Sequence, residues 1–206
     1  MRFLIFADLH QFDTSLVDKI DAQFDAMFFL GDINAVAIRH ILNAFPDKPA
    51  YGLLGNHDNE GLFESVNNYL KIEREILGTN LAFPIKDINL EKIVFGDLSF
   101  CGLEGCVKYH KNSIGYTQKE ALTLKIPKAN ILFSHETGSG FPCCENDIIH
   151  IGYKAVTRYV KRQCPNYHIF GHHHQNIAFK IKNTQCYCVF GCSVFDTDTG
   201  TMWKIF

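Results

Sequence analysis

Five times along this chain a short apolar run stops at a polar loop marked by Gly, Asp, Asn or His. Residues 2–7 (RFLIFA) end at Asp8-Leu9-His10, and residues 26–30 (AMFFL) end at Gly31-Asp32. Residues 50–54 (AYGLL) end at Gly55-Asn56-His57-Asp58, residues 130–133 (NILF) at Ser134-His135, and residues 167–170 (YHIF) at Gly171-His172-His173-His174. Apolar runs of this length without strict alternation predict strands covered on both faces. Between the first runs, Leu16, Ile20 and Phe24 recur at i, i+4 and i+8, and Ala37, Ile41, Leu42 and Phe45 share a helical face. Such a β-α-β-α-β opening predicts a parallel sheet with right-handed crossovers.

From Glu91 the pattern changes. KIVF, Gly96-Asp97 and LSFCGL read as a hairpin, and residues 175–206 read as short strands with turns at Asn183-Thr184 and residues 196–200. The sum is an α/β fold with a mixed sheet, or two stacked sheets, and helices outside. No repeat, low-complexity tract or linker interrupts it, so residues 1–206 are expected to form a single domain.

Hydrophobic residues at 47% and charged residues at 20% exclude disorder, collagen and coiled coil. A net charge of -2 offers no pull toward a polyanion, which weighs against a duplex nucleic-acid binder. The first apolar run breaks at Asp8, and no stretch reaches the roughly 18 apolar residues of a membrane span. The expectation is a soluble, cytoplasmic protein. Its eight cysteines are then expected to be reduced and packed, rather than bridged or gathered at Cys186, Cys188 and Cys192 as a zinc set.

In open α/β sheets ligands bind beyond the carboxyl ends of strands. Five strand ends deliver Asp8, His10, Asp32, Asn56, His57, His135, His172 and His174 to what should be one edge. Singly, each has a simpler explanation as a helix cap, a turn residue or a core histidine. Together, Asp8-x-His10, Gly31-Asp32, Gly55-Asn56-His57-Asp58, Ser134-His135 and Gly171-His172-x-His174 resemble the five motifs of the calcineurin-like metallophosphoesterases, in order and rough spacing.

That resemblance implies a four-layer α-β-β-α sandwich with two mixed sheets, holding two divalent metal ions. One metal would fall to Asp8, His10, Asp32 and His174, the other to Asp32, Asn56, His135 and His172, with Asp32 bridging. Imidazole mixed with oxygen ligands suits Mn, Fe, Zn or Ni, and manganese is the expected ion. A bridging carboxylate can hold two cations about 3.5–4 Å apart, and two such cations lower the pKa of a shared water from 15.7 toward roughly 7. The hydroxide so formed is the implied nucleophile. By the same resemblance His57 protonates or steadies the leaving oxygen, and Asp58 orients His57.

Other residues carry weaker expectations. His173 reads as a spacer or rim residue, and His150-Ile151-Gly152 resembles an H-x-G segment that would line the pocket. Specificity is expected from residues 59–89, 104–125 and 137–150, with Phe63, Tyr69, Tyr109 and Tyr116 available to stack on a base. The second carboxylate of the family's G-D-x-x-D is missing from Gly31-Asp32-Ile33-Asn34-Ala35, as are the D-R-G and G-N-H-E motifs of the protein phosphatases. The missing arginine removes a clamp for a monoester dianion. The expected activity is therefore a small phosphodiesterase acting on a small or nucleotide-like diester. A nuclease, and a non-catalytic protein-binding scaffold of the kind one retromer subunit forms, are the alternatives.

Overall fold

The computed structural model of the chain describes residues 1–10, 13–78, 83–144 and 150–206. The first half runs β1 (Arg2–Ala7), a 3-10 turn (Thr14–Lys19), β2 (Ala26–Phe29), α1 (Ala35–Ala44), β3 (Ala50–Gly52), α2 (Leu62–Leu77), β4 (Ile85–Asp87), β5 (Lys92–Phe95) and β6 (Leu98–Leu103). Then follow β7 (Cys106–Val107), β8 (Gly115–Tyr116), α3 (Gln118–Ala121), β9 (Ile131–Ser134), a second 3-10 turn (Pro142–Cys144), α4 (Lys154–Gln163), β10 (Tyr167–Phe170), β11 (Ile177–Ile181), β12 (Thr184–Cys188), β13 (Gly191–Asp196) and β14 (Thr201–Lys204).

All five apolar runs form strands, and they divide between two six-stranded sheets. The first sheet has the order β14-β13-β1-β2-β3-β4, the second β11-β12-β10-β9-β6-β5. Both are mixed: β1-β2-β3-β4 and β12-β10-β9-β6 pair in parallel, while β13, β14, β11 and β5 add antiparallel partners. The lack of alternation in RFLIFA has a direct cause. Phe3, Ile5 and Ala7 enter the layer between the sheets, whereas Leu4 and Phe6 enter the outer layer with Ile38 and Ile41 of α1 and Val66 of α2. On the far side, Val156 and Val160 of α4 cover Leu132 and Phe170 of the second sheet.

The middle layer is largely aromatic. Phe28 of the first sheet stacks on Phe133 of the second with ring centroids 4.2 Å apart, and meets Phe100 edge-on at 4.9 Å. These rings hold β2 over β6 and β9, which sets the loops after β1, β2, β9 and β10 at one end of the sandwich. The four-layer α-β-β-α arrangement follows from this packing.

Three local expectations change. Leu16, Ile20 and Phe24 do not share a helix. Asp13 caps Ser15 to start a 3-10 turn that ends at Lys19, and Val17 is the residue it buries. Residues 59–89, expected to be specificity loops, contain the 16-residue helix α2, which sinks Phe63, Val66, Leu70 and Arg74 against the first sheet. The β11-β12 turn lies at Lys182-Asn183, with Lys182 at φ 52°, so Thr184 already belongs to β12. All eight cysteines are free. Cys186 and Cys188 lie outside the second sheet and Cys192 outside the first, so they form no common set.

Candidate metal centre

Asp8, Asp32, His172 and His174 each follow a strand end, and all four adopt left-handed backbone, at φ 57°, 55°, 69° and 49°. Asp and His tolerate that region better than most residues, but it still costs free energy. Here it turns each side chain off the strand axis toward a common point. Backbone hydrogen bonds hold the turns: Asp8 N–H donates to Gly31 O at 3.1 Å, and Gly171 N–H to His135 O at 3.0 Å.

Glycine is required twice. A Cβ at Gly55 would lie 2.1 Å from Asp32 Oδ1, and one at Gly31 would lie 2.4 Å from Gly55 N and 2.7 Å from His135 Nδ1. The two loops therefore touch backbone to backbone, and this closeness positions Asp32. Its Oδ1 accepts the His57 N–H at 2.8 Å, leaving Oδ2 directed between His10 Nε2 at 4.0 Å and His135 Nε2 at 3.5 Å.

Two groups of side chains flank that oxygen. Asp8, His10 and His174 form one, and Asp32, His135 and His172 the other, with ligand atoms within 4.8 Å of one another in each. Bonds across the two sheets join them. His172 N–H donates to Asp8 Oδ2 at 2.8 Å, and His135 Nδ1 lies 2.7 Å from Leu30 O. A carbonyl only accepts, so Nδ1 carries the proton and Nε2 turns to the site. There Nε2 faces Asn56 Oδ1 at 2.9 Å, while Asn56 Nδ2 donates to Tyr109 Oη at 3.1 Å.

This donor set calls for positive charge. His135 Nε2, Asn56 Oδ1 and Asp32 Oδ2 are acceptors converging on one place, and His10 Nε2 and His174 Nε2 stand 3.2 Å apart. Asp8 Oδ1 is buried with no hydrogen-bond partner among the described residues and lies 3.8 Å from His174 Nε2. Without a cation, protons take up the strain. Burial pushes the Asp8 carboxyl up to about 7. Burial opposes charge on His135, yet the neighbouring Asp32 carboxylate lifts its pKa to about 10. Burial likewise works against Asp32 ionising, but His135 and the His57 N–H outweigh it and hold Asp32 below the usual carboxylate range. Burial, then the His135 charge, holds His172 neutral. Two divalent cations satisfy the same acceptors without protons, so the residues present fit the pair of metals.

The remaining expected residues fall as follows. His57 is exposed, its ring 5.7 Å from that of His10. Asp58 directs Oδ2 to the backbone, accepting from Gly55 N–H at 2.7 Å and Asp32 N–H at 2.9 Å, so it ties the β2 and β3 loops together. Burial pushes its carboxyl up to about 6. His150 borders the centre with its ring 4.7 Å from that of His172; residues 145–149 of the same expected specificity segment lie outside the described residues. Of the four candidate stacking aromatics, Tyr109 reaches the centre through Asn56. Phe63 is core, Tyr69 lies under the Arg39 guanidinium, and Tyr116 bonds Asn89 and Glu104.

His173 is no rim residue. It is buried, with Nε2 at 2.9 Å from Glu136 Oε1, and Glu136 Oε2 lies 3.5 Å from His172 Nε2. Glu136 had no motif to mark it, although a carboxylate directly after a strand-end histidine was visible. Beside the centre, Asp8, Leu9, His10, His174, Phe190 and Lys204 line a cleft of about 370 Å³.

Residues 1–194 match the family described as the calcineurin-like phosphoesterase superfamily domain. No curated protein matches the chain. Among solved structures, it resembles the protein TT1561 of Thermus thermophilus (12% identity, TM-score 0.68, covering 98% of this chain and 96% of that one). It also resembles an archaeal phosphodiesterase (13% identity, TM-score 0.56, 98% of each chain). A third is the phosphopantetheinyl hydrolase PptH of Mycobacterium tuberculosis (10% identity, TM-score 0.58, 92% of this chain and 89% of that one). At these identities the likeness is one of fold.

Proposed function

The chain belongs to the calcineurin-like phosphoesterase superfamily, and from that footing we propose that it is a metal-dependent phosphodiesterase acting on a small or nucleotide-like diester. The observation that carries the reading is the place of Asp32 Oδ2, between His10 Nε2 at 4.0 Å and His135 Nε2 at 3.5 Å. A carboxylate so placed suits a bridge between two cations. Asp8, His10, Asp32 and His174 would hold one, and Asp32, Asn56, His135 and His172 the other, with manganese the expected ion. When bound, the pair supplies Lewis acidity toward the phosphoryl oxygens and acidifies the attacking water.

The chain's own residues do the rest. Glu136 steadies the His172 ring and Leu30 O the His135 ring, each setting which nitrogen faces the centre. Asp58 acts as a positioning residue that keeps Asp32 and Gly55 in register. His57, exposed beside His10, donates a proton from its ring to the departing alkoxide, whose charge would otherwise build up. Among the described residues lining the cleft, Lys204 supplies the positive side chain, and no arginine offers the paired donors a monoester dianion favours.

The test compares bis-p-nitrophenyl phosphate with p-nitrophenyl phosphate, with added Mn²⁺, in the wild type and His57→Ala. The diester is expected to turn over faster. His57→Ala is expected to lose about 10²–10⁴ in rate while retaining metal. Turnover of neither substrate by metal-loaded protein would sink the reading and leave the scaffold alternative.

A further inference from the structure

Behind the His/Asp/Asn centre lies a second set of ligating side chains with different chemistry. Cys143 and Cys144 close the short turn Pro142–Cys144, and with His173 they form a group whose ligand atoms all lie within 4.8 Å of one another. Cys143 and His173 are buried, and Cys144 is partly so. Around a tetrahedral ion, with sulfur at about 2.3 Å and imidazole nitrogen at about 2.0–2.1 Å, neighbouring ligand atoms stand roughly 3.5–3.8 Å apart. A slight contraction of the group therefore completes three corners of a tetrahedron.

The surroundings hold the group in place. Cys144 N–H donates to Phe141 O at 2.9 Å and Phe141 N–H to Gly138 O at 3.1 Å, fixing the turn. The Cys143 thiol donates to Thr137 Oγ1 at 3.4 Å. On the imidazole side, Glu136 Oε1 lies 2.9 Å from His173 Nε2. A carboxylate on one ring nitrogen is the usual partner of a metal-ligating histidine. The other oxygen of Glu136 faces His172 at 3.5 Å, so one buried carboxylate stands between the two groups.

We propose that Cys143, Cys144 and His173 form a separate metal site for a thiophilic cation, Zn²⁺ or Cd²⁺, with a fourth position left to solvent. Sulfur sorts the cations: thiolates select soft ions, whereas the neighbouring imidazole, carboxylate and amide ligands suit Mn²⁺ as well. Charge balances too, since two thiolates neutralise a divalent ion in a mostly buried place. Binding forms two metal–sulfur bonds and releases two thiol protons to solvent. The site does not depend on the phosphodiesterase reading.

The experiment uses the full chain, reduced and stripped of metal, titrated with Cd²⁺ while the near-ultraviolet sulfur-to-cadmium charge-transfer band is recorded. The band is expected in the wild type, in Cys164→Ser and in Asp32→Asn, which disables the other centre. It is expected to vanish in the double variant Cys143→Ser/Cys144→Ser. Should that variant fold poorly, alkylation of the wild type read by mass spectrometry replaces it: bound Cd²⁺ should shield Cys143 and Cys144 from iodoacetamide, and chelation should expose them. A band that survives the double substitution, or that is lost in Asp32→Asn, overturns the proposal. So do thiols alkylated equally fast with and without Cd²⁺.

Discussion

Replacing Asp58 separates two roles a carboxylate can play at this centre. Its Oδ2 accepts from Gly55 N–H at 2.7 Å and Asp32 N–H at 2.9 Å. Asp58→Ala leaves both donors without that acceptor. At about 1–3 kcal/mol per donor, with water offsetting part of the loss, the expected cost is about 2–4 kcal/mol. For a chain of this size that lowers Tm by roughly 5–15 °C. Asp58→Asn keeps an acceptor oxygen in the same place. Burial raises the Asp58 carboxyl from its usual 3.8 to about 6. Because the folded value is the higher, the contribution of the acid is complete below about pH 4 and is lost as pH rises through 6. At about 1.36 kcal/mol per tenfold change in proton affinity, that loss has an upper bound of about 3 kcal/mol. Asn does not titrate, so Asp58→Asn should gain on the wild type between pH 4 and 7 and match or exceed it at pH 8. The assay is urea denaturation of chelated protein at several pH values. Equal stability of the Ala and Asn variants at pH 8 would refute the reasoning. An Asn variant that is stable and fully loaded with metal, yet inactive, would return Asp58 to the role of orienting His57.

Gly55→Ala places a Cβ 2.1 Å from Asp32 Oδ1; Mn²⁺ affinity by calorimetry should fall about 10–100-fold, and unchanged affinity would show that Asp32 is not held this way. Tyr153→Phe removes a fully buried hydroxyl that donates to the Cys106 carbonyl and accepts from Tyr116 N–H at 3.0 Å; urea denaturation should show a loss of about 1–3 kcal/mol. Glu104, raised to about 7 by burial and then by Asp87, stabilises below its unfolded pKa and loses that contribution as pH rises through 7. Glu104→Gln should therefore raise Tm at pH 8 more than at pH 5, and the reverse order would contradict the assignment.

Strands were legible wherever burial on both faces wrote an unbroken apolar run, as in RFLIFA. The helix α1 was legible because Asn34 caps it and Ala37, Ile41 and Leu42 face one way. The longer α2 was not, because exposed Ile72, Ile76 and Leu77 blur the face made by Phe63, Val66 and Leu70. Leu16, Ile20 and Phe24 show the opposite failure: the spacing is helical, yet the 3-10 turn ends at Lys19, buries Val17 rather than Leu16, and leaves Phe24 to enter the core from beyond it. At the centre, the motifs point to the side chains that the two groups contain, because each lies just beyond a strand end, and at Asp8, Asp32, His172 and His174 left-handed backbone swings the side chain out. What the motifs could not carry was set by tertiary contact. Asp58 is spent on Gly55 and Asp32, and Glu136, beyond the end of β9, is buried against His172 and His173, which follow β10.

The most direct test is anomalous diffraction from crystals soaked in Mn²⁺. Two peaks about 3.5–4 Å apart, one touching Asp8, His10 and His174, the other Asn56, His135 and His172, with Asp32 on both, is the predicted result. A lone peak, or peaks away from Asp32, would contradict it.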